Sequence, residues 1–459
     1  MKGKSVALIA GPLAFLLIQL IPFEGLSAQG RAVLACTTWV AIWWISEAME
    51  LAVTSLVPIV VMPLSGALTV DQITTSYGNP LIFLFMGGFI LGMAIENWNL
   101  HKRIAYSIIR LVGTGEKRMI LGFMLSTALL SMWLSNTATA IMMLPIGLSV
   151  IRQFKDREPF SRNLMLGIAY AASIGGMATL IGTPPNLILA GVVRESYQIE
   201  ISFFQWMLFG LPFSLVLLMI TYFFLTRYRA SKATATALEL EDLGPISTPQ
   251  KRVGLVFLTV AFFWLTRTFI WNDLLPSLDD TIIAVAGALF MFLVPSGTGK
   301  GALMDWRAAR KLPWDILLIF GAGLAIAKGF SQTDLATWLA LQFMAVDFLH
   351  AMWIALIVIA GINFLTEVTS NTATASMILP LLVTLAASLS IPPLPLLVGA
   401  ALAASSAFML PVATPPNAIV FSSGKITIRA MARTGVFLNI AAIILIFIFV
   451  HYWWPVIWD

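Results

Sequence analysis

Apolar runs of spanning length follow one another along almost the whole chain, and this feature restricts it to a fold that lives in lipid. A transmembrane helix needs about 20 mostly apolar residues. Single candidate spans lie near 5–23, 31–47, 51–67, 80–97, 203–226, 252–272, 281–296, 313–330 and 433–455. Two more, 165–193 and 393–421, contain Pro-Pro and read as broken spans. The stretches 119–151 and 350–386 are too long for one crossing and carry a polar tripeptide in the middle. Each reads as a re-entrant hairpin that enters and leaves by the same side. The expectation is an all-α polytopic membrane protein with about 11 transmembrane helices plus two re-entrant hairpins.

Composition excludes most alternatives. Of 459 residues, 59% are hydrophobic and 11% charged, whereas a soluble domain carries about 25% charged residues. The mean hydropathy is +0.91. One cysteine, Cys36, rules out a disulfide framework or thiolate cluster, and His101, His350 and His451 make a His-based metal site unexpected. A membrane-embedded enzyme would need a nucleophile with its base, or a metal cluster, and the chain offers neither; no organic cofactor is called for. A channel would need a continuous polar pore, which the apolar hairpins interrupt. Met1-Lys2-Gly3-Lys4 before an apolar run has the look of a signal peptide, but Val6 to Phe23 is long enough to span and reads as an uncleaved first helix.

The net charge of +5 does not point to nucleic acid, because the basic residues sit in short loops between apolar runs. With the N-terminus inside, all of the 27 Lys and Arg except Arg31, Arg194, Arg267 and Lys328 fall in inner loops. Positive residues favour the cytoplasmic side. The expected topology in the plasma (inner) membrane is therefore N-terminus cytoplasmic and C-terminus outside.

The chain repeats itself. Ser135-Asn136-Thr137-Ala138-Thr139 recurs as Ser370-Asn371-Thr372-Ala373-Thr374, and the same offset joins Leu144-Pro145 to Leu379-Pro380 and Ser131 to Thr366. Gly182-Thr183-Pro184-Pro185-Asn186 recurs as Ala413-Thr414-Pro415-Pro416-Asn417 at an offset four residues shorter. The first hairpin lies between basic inner loops and the second between outer segments without Lys or Arg, so the units are inverted. Inverted repeats with broken helices in matching positions point to a secondary transporter with its site at the midplane.

The residue types suit ions. Pro-Pro removes two successive N–H donors and disfavours helix at the preceding Thr, so each span must break there. The break frees carbonyls, hard oxygen ligands for Na⁺, and Ser, Thr and Asn add neutral oxygens. Helices that start just past each break and each tip favour an anion, and Ser135 and Ser370 suit the N-cap role at the tips. No Arg, Lys or His falls in these four loops, so an anion's charge would be offset by helix ends and co-bound cations. Glu367 in the second hairpin reads equally as a functional ionisable group and as one that reaches a wet vestibule. Glu47, Glu50 and Glu96 read as interfacial, Trp133 as packing beside the first tip, and Trp453, Trp454 and Trp458 as an interface belt.

The paired Ser-Asn-Thr tips and Thr-Pro-Pro breaks resemble the divalent anion/sodium symporter family, over nearly the whole chain. The resemblance implies import of C4-dicarboxylates such as succinate, fumarate and malate, coupled to Na⁺. It also implies a homodimer in lipid, working by elevator alternating access. By position it implies a first sodium site of Ser131, Ser135, Asn136 and the Gly182 carbonyl, and a second of Thr366, Thr369, Asn371 and the Ala413 carbonyl. Substrate carboxylates would meet Ser135, Asn136, Thr137, Ser370, Asn371 and Thr372, with Thr183 and Thr414 nearby. The implied organisation is scaffold in 1–79 and 253–312, inverted repeats in 80–226 and 313–459, and a cytoplasmic loop at 227–252. A sodium-independent dicarboxylate exchanger and a transporter of sulfate or another divalent anion remain as alternatives.

Overall fold

A computed structural model describes residues 2–154, 157–228, 241–299, 301–343, 351–389 and 391–458. Residue 350, where the second hairpin was expected to begin, and residues 229–240 of the expected 227–252 loop lie outside the described residues. Among those described, the chain is helical throughout apart from turns, links and one isolated bridge between Pro295 and Ala302. Lipid offers backbone groups no partner, so a spanning chain satisfies them within helices.

The repeat is visible as one order of elements met twice. In the first half a span (Pro80–Asn97) leads to an amphipathic helix (Leu100–Val112). A hairpin (Glu116–Ser131, Asn136–Gln153), a broken pair (Glu158–Gly176, Pro184–Tyr197) and a long span (Phe203–Leu225) follow. The second half runs Trp314–Gln332, Leu335–Phe343, Ala351–Leu365 with Asn371–Ser388, Pro393–Ser405 with Pro415–Phe421, and Ile428–Ile448. The two hairpins fall within a few residues of the expected 119–151 and 350–386.

Six helices among the described residues are long and apolar enough to cross a membrane, and five more are shorter apolar helices. The expected 51–67 span is in fact two pieces, Leu51–Thr54 and Val57–Leu64. Pro58 stands at the start of the second piece, where its missing N–H costs nothing. The expected 252–272 span starts earlier, at Thr248, because Ser247 and Gln250 form a reciprocal capping box, and it ends in a π turn over Arg267–Trp271. That turn carries Arg267 to a buried ion pair with Asp280 (2.8 Å), and Asp280 also accepts from the Phe203 N–H (2.7 Å). The Val70–Tyr77 helix, capped by Thr69 and Gln72, has no counterpart in the sequence reading, since only eight residues separate a turn from Gly78.

Small residues let the arms of the site pack backbone to backbone. The Glu116–Ser131 and Glu158–Gly176 helices approach most closely at Gly175, where a Cβ would stand 2.6 Å from the Ala128 Cα. The three nearest atoms all belong to the Ala128 backbone and cannot swing aside. Gly175→Ala is expected to destabilise the protein by about 1–3 kcal/mol through overpacking, read as a lower melting midpoint in detergent. An unchanged midpoint would contradict this packing.

Candidate functional site

The site grows from the two hairpin tips. At the first, Ser135 caps the Asn136–Gln153 helix, its hydroxyl accepting from the Ala138 N–H at 3.2 Å. At the second, Ser370 holds the capping position with the same extended backbone, but its hydroxyl makes no capping bond. The expectation that both serines cap is therefore met only at Ser135. The neighbouring Thr369 hydroxyl is engaged instead, donating to Leu365 O (2.9 Å) beside Thr374 Oγ1 (2.6 Å).

Behind each tip the same oxygen cluster recurs. Ser131 Oγ lies 2.7 Å from both Asn136 Oδ1 and Ala172 O. Thr366 Oγ1 lies 2.7 Å from Asn371 Oδ1 and 2.9 Å from Ala404 O. A hydroxyl has one hydrogen and here faces two acceptors. The Asn136 amide sits within 2.7 Å of Ser131 Oγ, 3.1 Å of Ala172 O and 3.2 Å of Gly182 O. With its nitrogen in that place its two N–H groups face all three acceptors; with its oxygen there, four oxygens converge. Such a set matches the hard-oxygen preference of a small cation. Gly176 permits the approach, since a Cβ there would lie 2.5 Å from Asn136 Oδ1 and 2.9 Å from Gly182 O.

The breaks are longer than Pro-Pro alone implies. Helix ends at Gly176 and at Ser405, and a new helix starts at Pro184 and at Pro415. The prolines thus begin the second helices rather than end the first, a position that suits their fixed φ. The intervening links are strapped by the Asn of each Thr-Pro-Pro-Asn motif. Asn186 Nδ2 donates to Thr179 O (2.7 Å) and reaches Gly176 O (3.3 Å), and Asn417 Nδ2 donates to Leu410 O (3.0 Å) and Ala407 O (3.3 Å). Both side chains are fully buried. Their amide nitrogens therefore serve the links, a use that the sequence pattern, in which these two residues carry no assigned role, does not reveal.

Tips and links meet at one cavity of about 630 Å³. Ser135, Asn136, Thr137, Ser370, Asn371, Thr372, Thr183 and Thr414 all line it, as do Gly182, Thr369 and Ala413. Ser131 and Thr366 stand behind the wall, fully buried. Four helices begin here, and first-turn N–H groups lack intrahelical acceptors. The proline pairs remove donors from two of those four ends, so the tips at Asn136 and Asn371 offer the fuller set. Among the described residues no Lys, Arg or His lines the cavity; its charged residues are Glu47 and Asp315. Both were missed as site residues. Glu47 ends the Ala28–Ser46 helix in a left-handed conformation (φ 46°), and only tertiary packing brings it to the cavity.

Other sequence expectations resolve plainly. Glu367 is buried at 3% exposure and does not reach the cavity, which removes the vestibule reading. Trp133 packs in an aromatic stack with Phe203 and Trp264 (ring centroids 5.8 and 6.4 Å). Trp454 is buried against Phe209 and stacks on Trp458 at 3.8 Å, so of the expected interface belt Trp453 alone is substantially exposed.

Comparison with known proteins bears on what such a site belongs to. The family model described as the sodium:sulfate symporter transmembrane region matches residues 2–458. The chain belongs to this family. It is 43% identical, over 99% of its own length and 92% of theirs, to the sodium-dependent dicarboxylate transporters SdcS of Staphylococcus aureus and Staphylococcus saprophyticus. Among solved structures its fold is similar to the Alcanivorax borkumensis YdaH transporter (TM-score 0.61, 16% identity, covering 85% of this chain and 88% of that one). Neisseria gonorrhoeae MtrF is also similar (TM-score 0.57, 16% identity, 84% and 83%). The chain is a multi-pass membrane protein of a transporter family.

The straps generate a prediction of their own. Asn186→Ala and Asn417→Ala each leave buried link carbonyls without a donor, which costs about 1–3 kcal/mol. Lower melting midpoints in detergent are expected for both; midpoints equal to the parent's would show that the links are held by something else.

Proposed function

We propose that this protein imports C4-dicarboxylates such as succinate, fumarate and malate by coupling them to Na⁺. The observation that carries the reading is the pair of matching oxygen clusters beside a cavity lined by no basic side chain. A dianion in that cavity meets helix N-termini and hydroxyls, together with the carboxylates of Glu47 and Asp315, which repel it. Cations bound behind the tips supply the missing positive charge. The name shared by the 43% identical relatives supports both the substrate class and the sodium dependence.

In this reading Ser131, Ser135, Asn136 and the Gly182 carbonyl hold the first ion, and we add the Ala172 carbonyl. Thr366, Asn371 and the Ala413 carbonyl hold the second, with the Ala404 carbonyl added. The Thr369 hydroxyl is already engaged, which leaves its carbonyl as its ligand atom. The substrate's carboxylates meet Ser135, Asn136, Thr137, Ser370, Asn371 and Thr372, with Thr183 and Thr414 beside them. Asn136 and Asn371 touch ion and substrate alike, so each ligand raises the other's affinity by the same factor. Residues 80–226 and 313–459 form the inverted repeats that carry the site. Helices in 1–79 and 253–312 act as scaffold and dimer contact, and an elevator motion in the inner membrane exchanges access, with the N-terminus cytoplasmic.

Uptake of labelled succinate into proteoliposomes, with and without an inward Na⁺ gradient, tests the reading. Uptake that persists unchanged in choline and needs internal dicarboxylate would make the protein an exchanger. Displacement of succinate by sulfate at comparable concentration would make it an inorganic-anion carrier.

Asn136→Ala and Asn371→Ala are each expected to reach the membrane and to retain less than about a tenth of the transport rate, the usual scale for lost ligand geometry. Near-normal uptake in both would remove the site assignment. Ser131→Ala and Thr366→Val are expected to raise the half-saturating Na⁺ concentration by about tenfold, with little change in succinate KM at saturating Na⁺. A shifted KM with an unaltered Na⁺ response would reverse the division of roles.

A further inference from the structure

Glu367 carries a buried carboxylate that the site as proposed does not use. It follows Thr366 directly, and so stands next to a member of the second oxygen cluster. Its Oε1 accepts from the N–H groups of Phe408 (2.7 Å) and Met409 (3.0 Å), and its Oε2 from Met409 (3.1 Å) and Leu410 (3.1 Å). Asn439 Nδ2, from the Ile428–Ile448 helix, donates to Oε1 at 2.7 Å. Every contact is a donor, a pattern that suits the ionised form. None of them comes from a Lys, Arg or His side chain. Burying a charge is costly unless it is paired or fully hydrogen-bonded, so four N–H groups converging on one carboxylate mark a position with a task.

The task is legible from what those N–H groups belong to. Residues 408–410 lie in the second link, between Ser405 and Pro415. Leu410 presents its carbonyl to Asn417 Nδ2 (3.0 Å) and to the Ala413 N–H (3.2 Å). Glu367 therefore holds the N–H side of the link and Asn417 its C=O side, and the chain leaves this clamp at Ala413 and Thr414. In the first half the matching position is Met132, and no carboxylate is present. There Thr179 Oγ1 donates to Met132 O at 2.6 Å, and Trp206 Nε1 donates to Met177 O at 3.0 Å. The two halves thus fasten equivalent links to their tips, one with neutral groups and one with a charge.

We propose that Glu367 is the positioning residue of the second cation site: it clamps the 408–410 link so that the Ala413 carbonyl faces the ion, and places a fixed negative charge beside that ion. Asn439 braces the clamp. The inference rests on the sodium-coupled reading above and deepens it, because it makes the two cation sites unequal.

The test is Na⁺-driven uptake of labelled succinate in proteoliposomes, titrated with Na⁺ for the parent protein, Glu367→Gln, Glu367→Asp and Asn439→Ala. Glutamine keeps the shape but offers N–H₂ where an acceptor is needed. E367Q is expected to raise half-saturating Na⁺ by about 10–100-fold, the range for groups that orient metal ligands. Succinate KM at saturating Na⁺ should stay within a factor of about two, since Glu367 does not line the cavity. E367D keeps the charge and should recover part of the Na⁺ affinity; N439A should shift it less than E367Q. Should E367Q fail to reach the membrane, E367D and N439A still decide the matter. Wild-type Na⁺ titrations in the variants that insert, or a loss of maximal rate with no shift in half-saturating Na⁺, overturn the proposal. If the parent protein itself shows no Na⁺ dependence, it is the sodium-coupled reading that fails.

Discussion

An unwound backbone in the middle of a membrane must have its polar groups paired, and the architecture of the site follows from that requirement. Each broken span leaves a link of non-helical residues, 177–183 in one half and 406–414 in the other, whose amides and carbonyls lack the continuous ladder of a helix. Pairing every carbonyl would make the link inert; pairing none would make it too costly to bury. Asn186 and Asn417 take the carbonyls early in each link. Gly182 and Ala413, just before the Thr-Pro-Pro segments, are not strapped by these amides and line the cavity. The straps therefore do more than stabilise: by using up some of the carbonyls they select which ones remain available to a ligand.

The same economy governs charge. To accept a dianion as proposed, a cavity lined among the described residues by no Lys, Arg or His must draw its positive potential from elsewhere. Helix ends contribute partial charge only, and prolines at two of the four starts reduce even that. With Glu47 and Asp315 also lining the cavity, its fixed charges disfavour an anion and favour cations. Dependence on a co-bound ion then needs no moving part to enforce it, since an anion's affinity is low until cations are present. A site built around an arginine would bind its anion without that condition.

The duplication, the hairpins, the broken spans and the cavity-lining tips were legible because each rests on local chemistry. Ser-Asn-Thr marks a tip, Pro-Pro interrupts a helix, and a polar triplet in the middle of an over-long apolar run demands a turn. What was not legible depended on distance. Glu47 reads as an ordinary helix end, and nothing near it in sequence says that Asp315, more than two hundred residues on, shares its cavity. The strapping role of Asn186 and Asn417 was not legible for a related reason. An amide offers an oxygen and a nitrogen equally, and which of them is used depends on carbonyls of the helix end and link that precede it. The division of 51–67 into two short helices depended on Pro58, which tolerates a helix start as readily as it breaks an interior.

Comparing the halves with each other separates what the cluster demands from what merely holds it. Shared are a hydroxyl one turn behind the tip, the tip Asn, an acceptor carbonyl from the preceding helix, and the strapping Asn. Those are the groups whose positions the oxygen cluster fixes directly. The halves differ one step further out, where Ser135 caps and Ser370 does not, and where a threonine hydroxyl in one half stands in for a carboxylate in the other. Groups one step removed can differ because several chemistries fasten a link equally well, but they are not electrostatically equivalent. A hydroxyl donating to a carbonyl leaves the neighbourhood neutral, whereas Glu367 adds a negative charge in a medium that screens it weakly. The two ion sites proposed above share their ligand types and need not, then, have the same affinity. In the sodium-coupled reading, that inequality would favour filling the Glu367 side first.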